Sequence, residues 1–216
     1  MGTTERYEEK QESIAKAAFK LFRSNGYENT SVKDIADAAG IKKALVRYYF
    51  PKKEAFEDLF LTRSLNKATM DILKLNIPDL SFLGRLYLMG YEELYYVTQH
   101  ESMLKLGVDI MASRDVTRFV SRTMGGWIRT QNEIPPERMP IILEGITYAM
   151  GAAFEVVYQN LVLKRSIDID DIFEKAMRIM NVVIEEEVVV PEAKTLLTEE
   201  WLQKKAKEMD KVMFGF

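Results

Sequence analysis

Apolar residues recur at helical spacing from one end of the chain to the other. Ile14, Ala17, Ala18, Leu21 and Phe22 follow the i, i+3, i+4, i+7, i+8 rule of a one-sided helix. The pattern predicts a helix over 8–24, stopped at Asn25-Gly26, two residues that tolerate the left-handed conformation of a helix C-cap. A short second helix should start at Ser31. Its hydroxyl can cap free N–H groups, and Asp34 three residues on can reach back and favour the positive helix end. That helix carries Ile35, Ala36 and Ala39 and ends at Gly40. A third helix, about 42–48, is kept short because Pro51 pushes Phe50 out of the helical region. Pro51 suits the start of a fourth helix, where its missing N–H costs nothing.

The fourth helix is expected over about 52–75, until Asn76-Ile77-Pro78. Further helices are expected over 80–99, 101–111, 114–130, 140–163 and 169–186, with breaks at Pro78, Pro135-Pro136, Pro140, 164–168 and Pro191. The tail, 197–213, places Leu197, Trp201, Leu202, Met209 and Met213 on one broad face. No segment alternates convincingly as a strand. The expectation is an all-α protein of about nine to ten helices, a small N-terminal bundle feeding a larger one. The division falls at 1–54 and 55–216.

Composition narrows the function classes. At 216 residues, 47% hydrophobic and 29% charged, the chain reads as a soluble globular protein long enough to bury a sizeable core. It has no cysteine, so disulfides and Cys-based zinc sites are excluded, and the single His100 rules out clustered-imidazole metal centres. The polar, acid-bearing N-terminus is not a signal peptide. The longest apolar stretch, 141–163, contains Glu144 and Glu155, which would be expensive in lipid, so a buried soluble helix and a cytoplasmic protein are expected. No metal cluster, nucleophile–base constellation or phosphate-binding glycine loop is visible. Catalysis and a cofactor are not expected.

The net charge is −3, yet it is unevenly placed. Residues 1–54 hold eleven Lys and Arg against eight Asp and Glu, a balance of +3, and the remaining 162 carry −6. Lys42, Lys43, Arg47, Lys52 and Lys53 fall within twelve residues that contain no acid, together with the rings of Tyr48, Tyr49 and Phe50. A basic head on an acidic body suggests an anionic partner for the head alone.

Two short helices joined at Ala39-Gly40-Ile41 form a helix-turn-helix pattern. Ala36 would let them approach closely, and Ile35, Ile41 and Val46 supply core contacts. Lys42, Lys43, Leu45, Arg47 and Tyr48 are left largely off the buried side. An α-helix fits the major groove, where lysine and arginine meet phosphates and guanine edges. Lys53 could neutralise a further phosphate. A merely solvated basic helix is the competing reading.

Residues 12–60 resemble the N-terminal domain of the TetR family of bacterial transcriptional regulators, through "IAKAAFKLFRSNGYENTSVKDIADAAGIKKALVRYYFPKKEAFEDLF". The match includes the Gly-Tyr turn, Thr-Ser-Val-x-Asp-Ile-Ala in the second helix, Ala-Gly-Ile, the Tyr-Tyr-Phe ending and the Lys-Lys-Glu helix start. The resemblance implies phosphate contacts at Thr30, Ser31, Tyr49 and Lys53. It implies groove reading by Lys33 and the exposed positions of 42–48. The family often has Gly or Ala, Thr, Leu and Tyr where this chain has Ala44, Leu45, Val46 and Arg47. Leu45 loses a hydroxyl and suggests contact with a thymine methyl. Arg47 could be bidentate to guanine. No relative's operator transfers.

The resemblance further implies a homodimer through two late helices, here 140–163 and 169–186, and an effector pocket in the larger bundle. Gly145, Gly151, Ala152 and Ala153 permit close approach in the first, and Ile169, Ile172, Phe173, Ala176, Met177, Met180 and Ile184 form a stripe on the second. Candidate pocket residues are Tyr91, Tyr95, Met103, Met111, Phe119, Trp127, Tyr148, Phe154 and Tyr158, with plain core packing as the alternative for each. Glu144 and Glu155 either meet a cationic ligand or reach the surface or an internal arginine. Arg114, Arg118 and Arg122, spaced by four, form either an ion-pairing or a solvated face, and Gly125-Gly126 either a bending point or an ordinary weak spot.

The reading is a ligand-responsive, sequence-specific DNA-binding regulator, a repressor released from its double-stranded operator by an unidentified small molecule. The alternative is a helical protein–protein adaptor that no longer binds an operator. An all-α enzyme or lipid carrier ranks below both.

Overall fold

The computed structural model describes residues 3–99, 103–104, 106–107, 124–130, 133–188 and 193–215. Nine α-helices occur among them: α1 (Thr3–Asn25), α2 (Val32–Ala38), α3 (Lys43–Tyr49), α4 (Glu54–Lys74), α5 (Phe82–Thr98), α6 (Gly125–Thr130), α7 (Met139–Val162), α8 (Ile169–Ile184) and α9 (Glu199–Phe214). No strand is present among the described residues. Of the helix expected over 101–111 only 103–104 and 106–107 are described, and they are helical; most of the one expected over 114–130, with Arg114, Arg118 and Arg122, lies outside the described residues.

α1 begins five residues before the expected start. The ring of Tyr7, in that extra turn, lies 4.6 Å from Tyr49 and 6.2 Å from Tyr48, which ties the polar end to α3. The buried stripe is also rotated. Ile14, Ala15, Ala18, Phe19 and Phe22 are buried, whereas Ala17 and Leu21 are half-buried. Phe19 meets Phe60 of α4 edge-on at 5.4 Å, which turns the face of α1 toward that helix.

The capping box at the head of α2 is formed. The Asp34 N–H donates to Ser31 Oγ at 3.2 Å and the Ser31 N–H to Asp34 Oδ2 at 2.8 Å. At the corner after α2, Gly40 takes φ = 63°, a left-handed conformation that a side chain would strain. α3 then crosses α2 with Val46 pressed inward, and Phe50 stacks on Phe56 at 4.0 Å.

α4 is shared by two apolar cores. Phe56 and Phe60 join the cluster of α1, α2 and α3. Leu65, Ala68 and Ile72 join a larger one built on α5, α7 and α8. The smaller core is completed from outside the first three helices, by Tyr96 and by Met209, Met213 and Phe214 of α9. Polar contacts fix that helix in place. Arg23 pairs with Asp210 at 3.6 Å, the Tyr96 hydroxyl donates to Asp210 at 3.0 Å, and the Arg23 guanidinium sits 4.9 Å from the Phe214 ring.

α7 and α8 pack along one another. Gly145 makes the approach possible, since a Cβ there would stand 2.8 Å from the Ile184 side chain. With its preceding turn, α7 (Pro136–Val162, mean hydropathy 1.4) is long and apolar enough to cross a membrane. It instead lies against α8 on one side and carries Glu144 and Glu155 on the exposed other.

Candidate nucleic-acid interface and buried cavity

α3 has one inward side and one outward side. Val46 is buried, and Ala44 and Tyr48 on the opposite side of the helix face solvent, Tyr48 being 67% exposed. Arg47 on the flank and Lys42 and Lys43 at the first turn are exposed too. Leu45 is half-buried at the edge of this face, and Tyr49 is half-buried against Tyr7. On α2, Lys33 is exposed on the solvent side. Ser31 is exposed too, and its oxygen accepts the cap hydrogen bond. The Asp34 carboxyl is held below its usual range by the Ser31 hydroxyl and backbone N–H.

The fold adds a residue that the sequence did not suggest. Lys10 of α1 borders a shallow groove with Ile41, Lys42, Ala44, Leu45 and Tyr48. It lies 33 positions before Lys43 in the chain, and the long α1, anchored by Tyr7, brings it alongside.

Two expected phosphate contacts have other primary work. Thr30 is 1% exposed, and its hydroxyl donates to the Gly26 carbonyl at 2.8 Å, which holds the turn between α1 and α2. Its hydroxyl therefore does not reach an outside phosphate, a correction to the expectation. Lys53 Nζ donates to the Tyr27 carbonyl at 2.6 Å and lies 4.0 Å from the centre of the Tyr27 ring. Only its remaining N–H groups are available to an anion.

A cavity of about 170 Å³ lies in the larger core, between α4, α5, α7 and α8. Among the described residues its wall is apolar apart from Ser64 and Glu93. Glu93 accepts from the Ser64 hydroxyl through Oε2, and its buried Oε1 has no partner among the described residues. Burial pushes the Glu93 carboxyl up to about 7. Its neighbour Glu92, buried with Asp71 and Glu93 close by, is pushed up to about 9, first by desolvation and then by those negative charges. Phe60 belongs both to this wall and to the smaller core.

Most of the aromatic and acidic residues expected around a pocket stand elsewhere. Phe154 lines the cavity. Tyr91 is buried with its hydroxyl donating to Asp170 at 2.9 Å, and Tyr95 likewise to Glu199 at 2.6 Å. Met103 is in the smaller core, and Trp127 packs on Phe82 at 5.6 Å. Glu144, Tyr148, Glu155 and Tyr158 lie on the exposed face of α7, because Ile142, Ile146, Ala149, Ala153 and Val157 take the inward one. Both acids therefore reach the surface. Met111 and Phe119 lie outside the described residues. The pair that does border the cavity, Ser64 and Glu93, was signalled only by two adjacent acids within the apolar run of α5.

Residues 14–70 match the family model described as bacterial regulatory proteins, tetR family. An uncharacterized HTH-type transcriptional regulator of Bacillus subtilis (strain 168), YuxN, is 41% identical over an alignment of 69 residues that covers 28% of this chain and 24% of that protein. The match thus spans about a quarter of the relative's length. Two solved structures align over most of the chain at 17% identity. The gamma-butyrolactone receptor (ArpA-like protein) covers 98% of this chain and 99% of its own with a TM-score of 0.41. CprB from S. coelicolor A3(2) covers 94% and 99% with a TM-score of 0.43.

Proposed function

We propose that this chain, which belongs through residues 14–70 to the tetR family of bacterial regulatory proteins, is a homodimeric, cytoplasmic repressor that leaves its operator when a small molecule enters the cavity. The observation that carries the DNA reading is the exposed cationic and aromatic surface of α3 and its N-cap, with Lys42, Lys43, Arg47 and Tyr48 all exposed while Val46 is buried. In this reading residues 1–54 form the head that docks on DNA. Arg47 reads a guanine edge, and Leu45 meets a thymine methyl. Lys33, Lys42, Lys43 and Tyr48 face the groove beside them, and Lys10, Ser31, Tyr49 and the remaining N–H groups of Lys53 hold phosphates.

Residues 55–216 pair the two heads and respond to the effector. One short head reads few base pairs, so affinity depends on presenting two of them to neighbouring turns of the duplex. The outer faces of α7 and α8 suit that pairing. Tyr148, Val156, Tyr158 and Val162 of α7 and Ile179 and Val182 of α8 are exposed, an apolar strip that water does not favour. Phe60 supports the coupling. It touches the cavity with one side and the head's Phe19 with the other, so a ligand that displaces it favours one head position over another.

The test is duplex binding to the DNA upstream of the protein's own gene, followed by fluorescence anisotropy. A protein making six or more phosphate contacts loses roughly a thousand-fold in affinity between about 50 and 200 mM salt. Failure to bind at the lower salt, or binding indifferent to salt, would overturn the proposal. The adaptor alternative predicts that outcome, together with charge reversal at Lys42 and Lys43 having no effect.

A further inference from the structure

The charges around the cavity point to one class of ligand, an inference that rests on the effector reading above and narrows it. Behind the wall, Lys67 of α4 and Lys205 of α9 each pair with both Asp71 and Glu208, the contacts of Lys205 being 3.0 and 3.1 Å. Two positive and two negative charges close on themselves. Glu92, beside Asp71, is neutral at pH 7 because burial and the adjoining acids keep its proton on. Glu93 is the acid outside that quartet, and the nearby Lys67 ammonium offsets its burial only in part. Ser64 satisfies its Oε2, while Oε1 is buried, without a partner among the described residues, on a side chain that borders an otherwise apolar cavity. A desolvated carboxylate in that position needs either a proton or an opposing charge.

We propose that the cavity takes a compact primary amine in its ammonium form, the nitrogen held by Glu93 Oε1 and Ser64 Oγ and the hydrocarbon packed among Met89, Ala149, Ala153 and Met177. The three N–H donors of an ammonium match the two oxygens, and its charge cancels the unmatched carboxylate. An apolar cavity of about 150 Å³ holds a benzene ring, so this one suits a hydrocarbon of about six to eight carbons. A carboxylate of the same length would bring a second negative charge against Glu93, and an alcohol would leave the first one uncompensated.

Isothermal titration of the full-length protein with hexylamine, hexanol and hexanoate tests this. Hexylamine is expected to bind once per chain, hexanol at least about ten-fold more weakly, and hexanoate not measurably. Glu93→Gln, which keeps the shape, is expected to weaken hexylamine by at least about ten-fold and to leave hexanol unchanged. Ala153→Phe, which fills the space, should remove hexylamine binding while the thermal transition persists. Equal affinity for the three compounds, hexylamine binding indifferent to Glu93→Gln, or no binding of any of them would overturn the proposal. Duplex binding by the same samples without added ligand separates the two readings. A protein that takes hexylamine through Glu93 but ignores DNA keeps the amine site and loses the regulator. One that binds DNA but not hexylamine does the reverse.

Discussion

Glu92 sits where water does not reach, with Asp71 and Glu93 for neighbours, and its proton is correspondingly hard to remove. The consequence for stability has a definite sign. A carboxyl raised from 4.5 to about 9 on folding binds its proton more tightly in the folded chain than in the unfolded one. The stabilisation is fully present below the ordinary value and is lost as pH climbs through the interval up to about 9. Glu93 acts in the same direction up to about 7. The melting temperature of the wild type is therefore expected to fall from pH 5 to pH 9, and Glu92→Gln to flatten the upper part of that fall. A melting temperature that is level or rising over this range would contradict the assignment. These acids were harder to read from the sequence than Glu144 and Glu155, which stand out in the most apolar helix. α7 carries two apolar faces, one for the core and one outside, so its composition does not say which side its acids take. Thr30 was misjudged for a related reason. Residue type at a turn does not reveal whether a hydroxyl looks inward.

Periodicity located the elements well where a helix has one buried side. The end of α1, the Ser31 cap, the Gly40 corner and the Pro51 break were all legible, because each depends on residues a few positions apart, whereas the start of α1 and the rotation of its buried stripe were not. What α9 packs against was not. Its broad apolar face was visible, but spacing along one helix says nothing about a partner 180 residues earlier in the chain. In the structure Met209, Met213 and Phe214 close the core of the first three helices, and Phe214 is 0% exposed. Phe214→Ala should accordingly destabilise the protein by about 3–5 kcal/mol in chemical unfolding, the usual cost of emptying a fully buried ring. A loss under about 1 kcal/mol, within reach of an ordinary surface change, would show that α9 is not part of that core.

At the scale of the whole molecule, the single chain leaves Val182 of α8 78% exposed, together with Ile179 on the same helix and Tyr148, Val156, Tyr158 and Val162 on α7. If two copies bury these side chains, Val182→Glu places a charge in the contact and should shift the protein from dimer to monomer in sedimentation equilibrium, with its helical content kept. Unchanged sedimentation would place the pairing surface elsewhere. Dimerisation also decides what the cationic face of α3 can accomplish, since two such helices related by a twofold axis demand paired half-sites on the DNA.

Selection of bound duplexes from a random pool, run in parallel with the wild type and Arg47→Ala, tests that central claim most directly. The wild type is expected to return two inverted half-sites about one helical turn or a multiple apart. Arg47→Ala is expected to return the same spacing with the preference for guanine relaxed at one position in each half, a change of about 1–3 kcal/mol. A pool with no enriched sequence, or the same motif from both proteins, would contradict it.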